Sequence, residues 1–219
     1  MVQSEKSNAR AGASRQSAPQ PETPETLLAA LRQGGAMMAQ AQATLAHAGS
    51  PDGQPRRSLL RAAVTSALAD DLRPADHTLA RWLLTQEIAA HEAAGQGGGE
   101  TLFTLVAIVA RFGQPDDASL IWRARQATPE TRAGVDVEQI VRAGVDRVRL
   151  YLSRRAKQGK AGGAIESARS SQLAREGARQ ANLALAWIDE GQASGAFDDL
   201  PAYFAWSDEH YGLRVVGPT

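Results

Sequence analysis

Apolar positions along this chain recur at helical spacings. From Asp136 onward, Val137, Val141, Val145, Val148 and Leu152 step 4-4-3-4, which predicts one strongly amphipathic helix. Over Ser167, Ser171, Ala174, Ala178, Ala181, Leu185 and Ile188 the steps alternate four and three, a heptad-like seam of small residues that thickens to large ones. Between Glu100 and Phe112, the residues Leu102, Phe103, Leu105, Val106, Ile108, Val109 and Phe112 go nearly all the way round, marking the most buried element. In segment 74–94, Leu79, Trp82, Leu83 and Ala90 share one side while Leu84 and Ile88 lie on another, so that helix sits between neighbours. No strand-like alternation runs beyond about four residues.

Turn and cap residues divide the pattern. Thr23-Pro24-Glu25-Thr26 supplies an N-cap, a proline for the first helical position and an acid for the first turn. Gly34-Gly35 breaks or bends that helix, and residues 49–55 read as a loop before a helix over 58–72. Pro74, Pro115 and Thr128-Pro129 open further helical segments, and Gly95–Gly99, Gly113 and Gly159–Gly163 separate them. The expected fold is all-α, with about seven to eight helices in a multi-helix bundle or a short HEAT-like α-solenoid. A shift of 41 residues aligns Pro74-Ala75-Asp76-His77-Thr78-Leu79 with Pro115-Asp116-Asp117-Ala118-Ser119-Leu120. That interval resembles the roughly 40 to 47 residues of HEAT and armadillo repeats; capping chemistry alone, with proline at the first position and aspartate in the first turn, produces the same echo. Residues 1–22, rich in Ser, Gln, Ala, Pro and Gly, are expected to form a disordered tail. Residues 23–219 are expected to form one helical domain, with a sub-boundary at 159–163 as the alternative.

Composition changes this picture in two places. No cysteine is present, which excludes disulfides, thiolate zinc sites and cysteine nucleophiles and fits a cytoplasmic setting. The longest apolar stretch, Leu102–Ala110, is about half of a membrane span and no signal peptide is visible at Met1–Lys6, so no membrane partner is expected.

Charge is neutral overall, with 24 basic and 24 acidic residues, but unevenly placed. Residues 147–179 carry nine basic side chains against Glu166 and Glu176, a net of +7, whereas from Gln180 onward only Arg214 opposes six acids, a net of −5. Arg147, Arg154 and Lys157 fall on the side of their helix away from the valine stripe, where they can meet phosphates or an acidic surface together with Lys160. The helix dipole and pairing with the acidic C-terminal part are the structural explanations for the same cluster. Near the end, Tyr203, Phe204, Trp206 and Tyr211 fall within nine residues, a group able to dock on a partner or to fold back on the last long helix.

Catalytic signatures do not assemble from the sequence. Of four histidines, His77 and His91 are about 21 Å apart along one helix, too far to share an ion, and Glu87 with His91 reads as a surface ion pair. Gly95–Gly99 lacks a preceding strand and the third glycine of the dinucleotide fingerprint, and Gly159-Lys160-Ala161 lacks the Ser/Thr of a phosphate-binding loop. No metal and no cofactor are expected. The leading expectation is a non-enzymatic intracellular interaction or regulatory protein. It would meet a protein partner through Arg147, Arg154, Lys157, Lys160, Tyr203, Trp206 and Tyr211, with a homodimer through the Ser167–Ile188 seam as a separate expectation. The alternatives are a nucleic-acid-binding regulator using 147–160 and a helical enzyme whose carboxylate or histidine site only the fold assembles.

Overall fold

The start signals of the sequence act as caps. The Thr26 amide donates to Thr23 Oγ1 at 3.3 Å while the Thr23 amide donates to Thr26 Oγ1 at 3.0 Å, and Pro24 occupies the first helical turn. Thr128 and Thr131 repeat this arrangement at 3.1 and 2.9 Å on either side of Pro129. Each box supplies partners to amide groups that a helix start otherwise leaves without them.

A computed structural model describes residues 23–47, 54–97, 99–158 and 168–213. The expected tail over 1–22, the boundary at 159–163, Lys160 and Ser167 lie outside the described residues. The described chain is all helical: α1 (Pro24–Gln33), α2 (Gly35–Leu45), α3 (Gln54–Asp70), α4 (His77–Ala94), α5 (Glu100–Arg111), α6 (Asp117–Gln126), α7 (Pro129–Gly134), α8 (Val137–Ile140), α9 (Val145–Gln158), α10 (Ala168–Ala193) and α11 (Leu200–His210). None of these helices is long and apolar enough to cross a membrane.

Eleven helices exceed the seven to eight expected, for local reasons. Gly34, at φ 79°, separates α1 from α2. The valine stripe from Val137 to Leu152 is two helices, not one. Val141–Gly144 forms a turn in which the Gly144 amide donates to the Val141 carbonyl at 2.7 Å, and Gly144 takes φ 100°, a backbone region costly for a residue with a Cβ. Val141, Val148 and Leu152 are still fully buried and Val145 is partly so, so the stripe marks the core-facing side across the turn. Gln54 and Pro55, read as loop, belong to α3.

One cluster of buried apolar side chains runs from Leu27 to Leu213. Helix α5 lies at its centre, with Leu102, Leu105, Val106, Ala107, Ile108, Val109 and Ala110 all buried. Helices α9 and α10 run antiparallel, since Arg149 meets Asp189 at 2.7 Å while Arg155, farther along α9, lies against Gly177 at the earlier end of α10. The described part of the small-residue seam falls on the packed side of α10, where Ala178, Ala181 and Ile188 are buried together with Ala184.

Buried charge ties the first helices together. Arg61 on α3 and Glu87 on α4 are both nearly solvent-free, and Arg61 Nε donates to Glu87 Oε1 at 2.8 Å while Nη1 donates to the Leu45 carbonyl at 3.1 Å. Glu87 is therefore an interior counter-ion, not the surface partner of His91. Arg32 on α1 reaches Asp71 and Asp76 at 2.7 and 2.6 Å, and His77 and Arg81 on α4 both engage Asp117 at the start of α6. The aligned residues Asp76 and Asp117 are thus each buried at a helix start, and each receives an arginine from an earlier helix, Arg32 and Arg81.

Removing one member of the interior pair leaves the other buried and unpaired. Arg61→Met is expected to lower the unfolding free energy by about 3–5 kcal/mol, with the double replacement Arg61→Met/Glu87→Leu recovering much of the loss. Urea denaturation of both variants checks this; a single variant as stable as the parent contradicts the assignment.

Candidate functional site: the outer face of α9

Helix α9 divides its residues between two sides. Val148, Leu152 and Ala156 face the core, and the spacing of three and four that puts them there turns Arg147, Leu150, Tyr151 and Arg154 to the opposite side. Arg147, Arg154 and Lys157 are exposed. Among the described residues none of the three has a carboxylate within ion-pair reach; the Arg147 guanidinium donates only to the Ala143 carbonyl, at 3.2 Å. Pro115 and Asp116 from the turn before α6 complete a depression of about 350 Å³ with Arg147, Leu150, Tyr151 and Arg154. Leu150 stays 53% exposed at its centre, and the Tyr151 hydroxyl accepts from Ser119 Oγ at 3.3 Å, which fixes the ring at its edge. The result is an apolar patch with a guanidinium at each end, about 10 Å apart along the helix.

The basic segment is not neutralised as a whole by the acidic C-terminal part. Arg149 pairs with Asp189 and donates to Gln192 at 2.8 Å, and Arg179 pairs with Glu176 on its own helix. Arg149 turns toward α10 and Arg179 lies on it. Asp116 at the rim already faces Arg81 at 3.0 Å, so its charge is met from outside the depression.

The C-terminal aromatic residues go elsewhere. The Tyr203 phenol donates to Asp136 Oδ2 at 2.8 Å and accepts from Gln139 Nε2 at 3.3 Å; Gln139 also donates to the buried Ser207 at 2.7 Å. Asp208 receives Arg111 at 2.6 Å and Arg142 at 2.7 Å, and the Arg142 guanidinium lies 4.8 Å above the Phe204 ring. Helix α11 is thereby held on α8 and the end of α5 rather than folded along α10. Tyr211 is half-buried, and Trp206, 51% exposed, stacks on His210 with ring centroids 5.0 Å apart. The structure thus brings Arg147 and Arg154 together around Leu150, sets Lys157 at the edge of the same side, and gives Tyr203 an internal role. Sequence reasoning missed Leu150, Tyr151 and Pro115. Leu150 stands out of phase with the valine stripe, a signal available from the spacing alone.

The phosphate and catalytic readings meet internal partners as well. The Gly97 amide donates to Glu130 Oε2 at 3.1 Å and the Gly97 carbonyl accepts from Thr128 Oγ1 at 2.9 Å, so the protein's own carboxylate occupies an amide of this glycine segment. His77 Nε2 lies 2.8 Å from Asp117 Oδ2, but Arg81 shares that carboxylate and Phe112 covers the imidazole. The group straps α4 to α6.

Burial, with Asp136 beside it, pushes the Tyr203 phenol far above the ordinary tyrosine range. A raised pKa in the folded state means that the neutral phenol is the favoured form there. Its contribution is whole below about pH 10 and is lost as pH rises beyond that value. Between about pH 8 and about pH 11, the urea midpoint of Tyr203→Phe is expected to fall less than that of the parent; equal falls would contradict the assignment. The chain matches no family model, and no curated protein or solved structure is similar to it.

Proposed function

We propose that this is a non-enzymatic interaction protein, a helical bundle whose α9 face receives an acidic, partly apolar segment of a protein partner. The observation that carries the reading is the exposed Leu150 set between two guanidinium groups that have no ion-pair partner among the described residues. An acid at each end of a bound segment would meet Arg147 and Arg154 in charge-assisted, bidentate contacts, while an apolar side chain between them covers Leu150 and Pro115. Charge complementarity would steer the encounter and the apolar centre would hold it. Lys157 extends the positive field along the same helix. Association of two copies through α10 is not part of this reading, because the described part of that seam already faces α9 and the core.

Nucleic acid would use the same cations without the leucine, which separates the two readings. A fluorescein-labelled peptide with alternating Glu and Leu is expected to bind the parent. Arg147→Glu/Arg154→Glu should abolish that binding, and Leu150→Ser should weaken it by about tenfold, the effect of roughly 1.4 kcal/mol of lost apolar contact. A random-sequence duplex held by three phosphates would instead lose about fortyfold between ~50 and ~200 mM salt and would ignore Leu150→Ser. Tight duplex binding of that kind, with no peptide binding, would overturn the proposal. All three replaced side chains lie on the exposed or half-exposed side of α9, so circular dichroism and melting of the variants are expected to match the parent.

A further inference from the structure

A second concavity, of about 430 Å³, opens where α4, α6, α9 and α10 meet. Its volume lies in the range of small-molecule sites. The floor is apolar: Leu152, Ala181 and Ala184 are at most 3% exposed and Trp122 is 7% exposed. Polar groups converge at the rim and most of them are already committed. Arg123 holds Glu92 with two bonds, at 2.9 and 2.6 Å. Glu176 accepts from Arg179 at 3.2 Å and from Gln180 Nε2 at 2.6 Å. Gln180 in turn accepts the Trp122 indole N–H at 2.8 Å, which fixes both the amide and the ring.

Arg155 is the exception. Its guanidinium has no counter-ion among the described residues, and it lies over Gly177, where an added Cβ would stand 3.6 Å from Nη2. Glycine inside a long helix is unfavourable, and here it keeps one wall free of side chain directly beneath the one uncommitted cation of the rim. With Glu92 and Arg123 cancelling each other, and Glu176 answered by Arg179, the lining offers a single positive charge above an apolar floor.

We propose that this concavity binds a small organic monoanion, a carboxylate or sulfonate with a flat or aliphatic body. The acid group sits on Arg155, and the body lies on Leu152, Ala181, Ala184 and the Trp122 ring. Charge selects the ligand class: a dianion or a free inorganic phosphate would leave uncompensated charge facing Glu92 and Glu176, whereas a neutral apolar molecule would leave Arg155 unanswered. The outer face of α9 is a separate site, formed by Arg147, Leu150 and Arg154.

The test uses 8-anilinonaphthalene-1-sulfonate, whose fused rings and single sulfonate match this description and whose emission rises on entering an apolar site. Saturable binding of one probe per chain is expected, with displacement by decanoate and not by inorganic phosphate. Arg155→Gln, at an exposed position, should weaken it by about tenfold or more, the order of one charge-assisted hydrogen bond. Gly177→Leu should abolish it by filling the wall, and should not lower the melting temperature, because leucine favours the helix. Arg147→Gln/Arg154→Gln should leave probe binding unchanged. Absence of saturable binding by the parent, or binding indifferent to Arg155→Gln, would overturn the proposal whether or not the leucine variant folds. Loss of probe binding in the Arg147→Gln/Arg154→Gln variant would overturn it too, by placing the probe on the outer face.

Discussion

The ion pair between Arg61 and Glu87 sets the terms for the N-terminal half. Two charges at 1% and 3% exposure are tolerable only when each answers the other and the remaining donors find acceptors. Arg61 meets both conditions by reaching Glu87 on α4 and the Leu45 carbonyl at the end of α2. A shift of α3 along α4 by one helical turn would separate the two groups by about 5 Å and leave both desolvated. The pair therefore fixes register, which leucine and alanine contacts alone specify loosely. Arg32 with Asp71 and Asp76, and His77 and Arg81 with Asp117, extend the same principle outward to α1 and α6.

What the sequence revealed follows from how far each signal reaches. The caps at Thr23 and Thr128 are set by neighbours three residues away, and they stand where the sequence puts them. The burial of Val141, Val148 and Leu152 was legible because periodicity records which side faces the core. The break at Gly144 was not, since the spacing passes through the turn with little phase error and only the positive φ reveals it. Glu87 was misplaced for a different reason. Its companion Arg61 is 26 residues away in sequence, and a local reading assigns a carboxylate to the nearest cation. The basic side of α9 was legible in its charges, while the depression between them depends on Pro115 from another segment.

The charge split between the basic segment and the acidic C-terminal part is thus only partly a pairing device. Asp189 and Asp208 are used internally, by Arg149 and by Arg111 and Arg142. Of the basic segment these contacts consume Arg149 alone, and Arg147, Arg154 and Arg155 are left without a carboxylate among the described residues. Polarity along the sequence becomes polarity across the surface, and the same helix that closes the core through Leu152 carries its free charge on the reverse.

The placement of α11 bears on the order in which the chain closes. Most helix packing here joins elements near one another in sequence, such as α1 with α2, α4 with α5 and α9 with α10. Helix α11 instead reaches back to Gln139 over 68 residues through Ser207, and Leu213 reaches Arg111 over 102. Loop closure over such distances carries the larger entropy cost and forms after local contacts have condensed. Helix α11 is therefore expected to act as the bolt of the structure, closing last and withdrawing first, and hydrogen exchange should register it as the least protected of the long-range contacts.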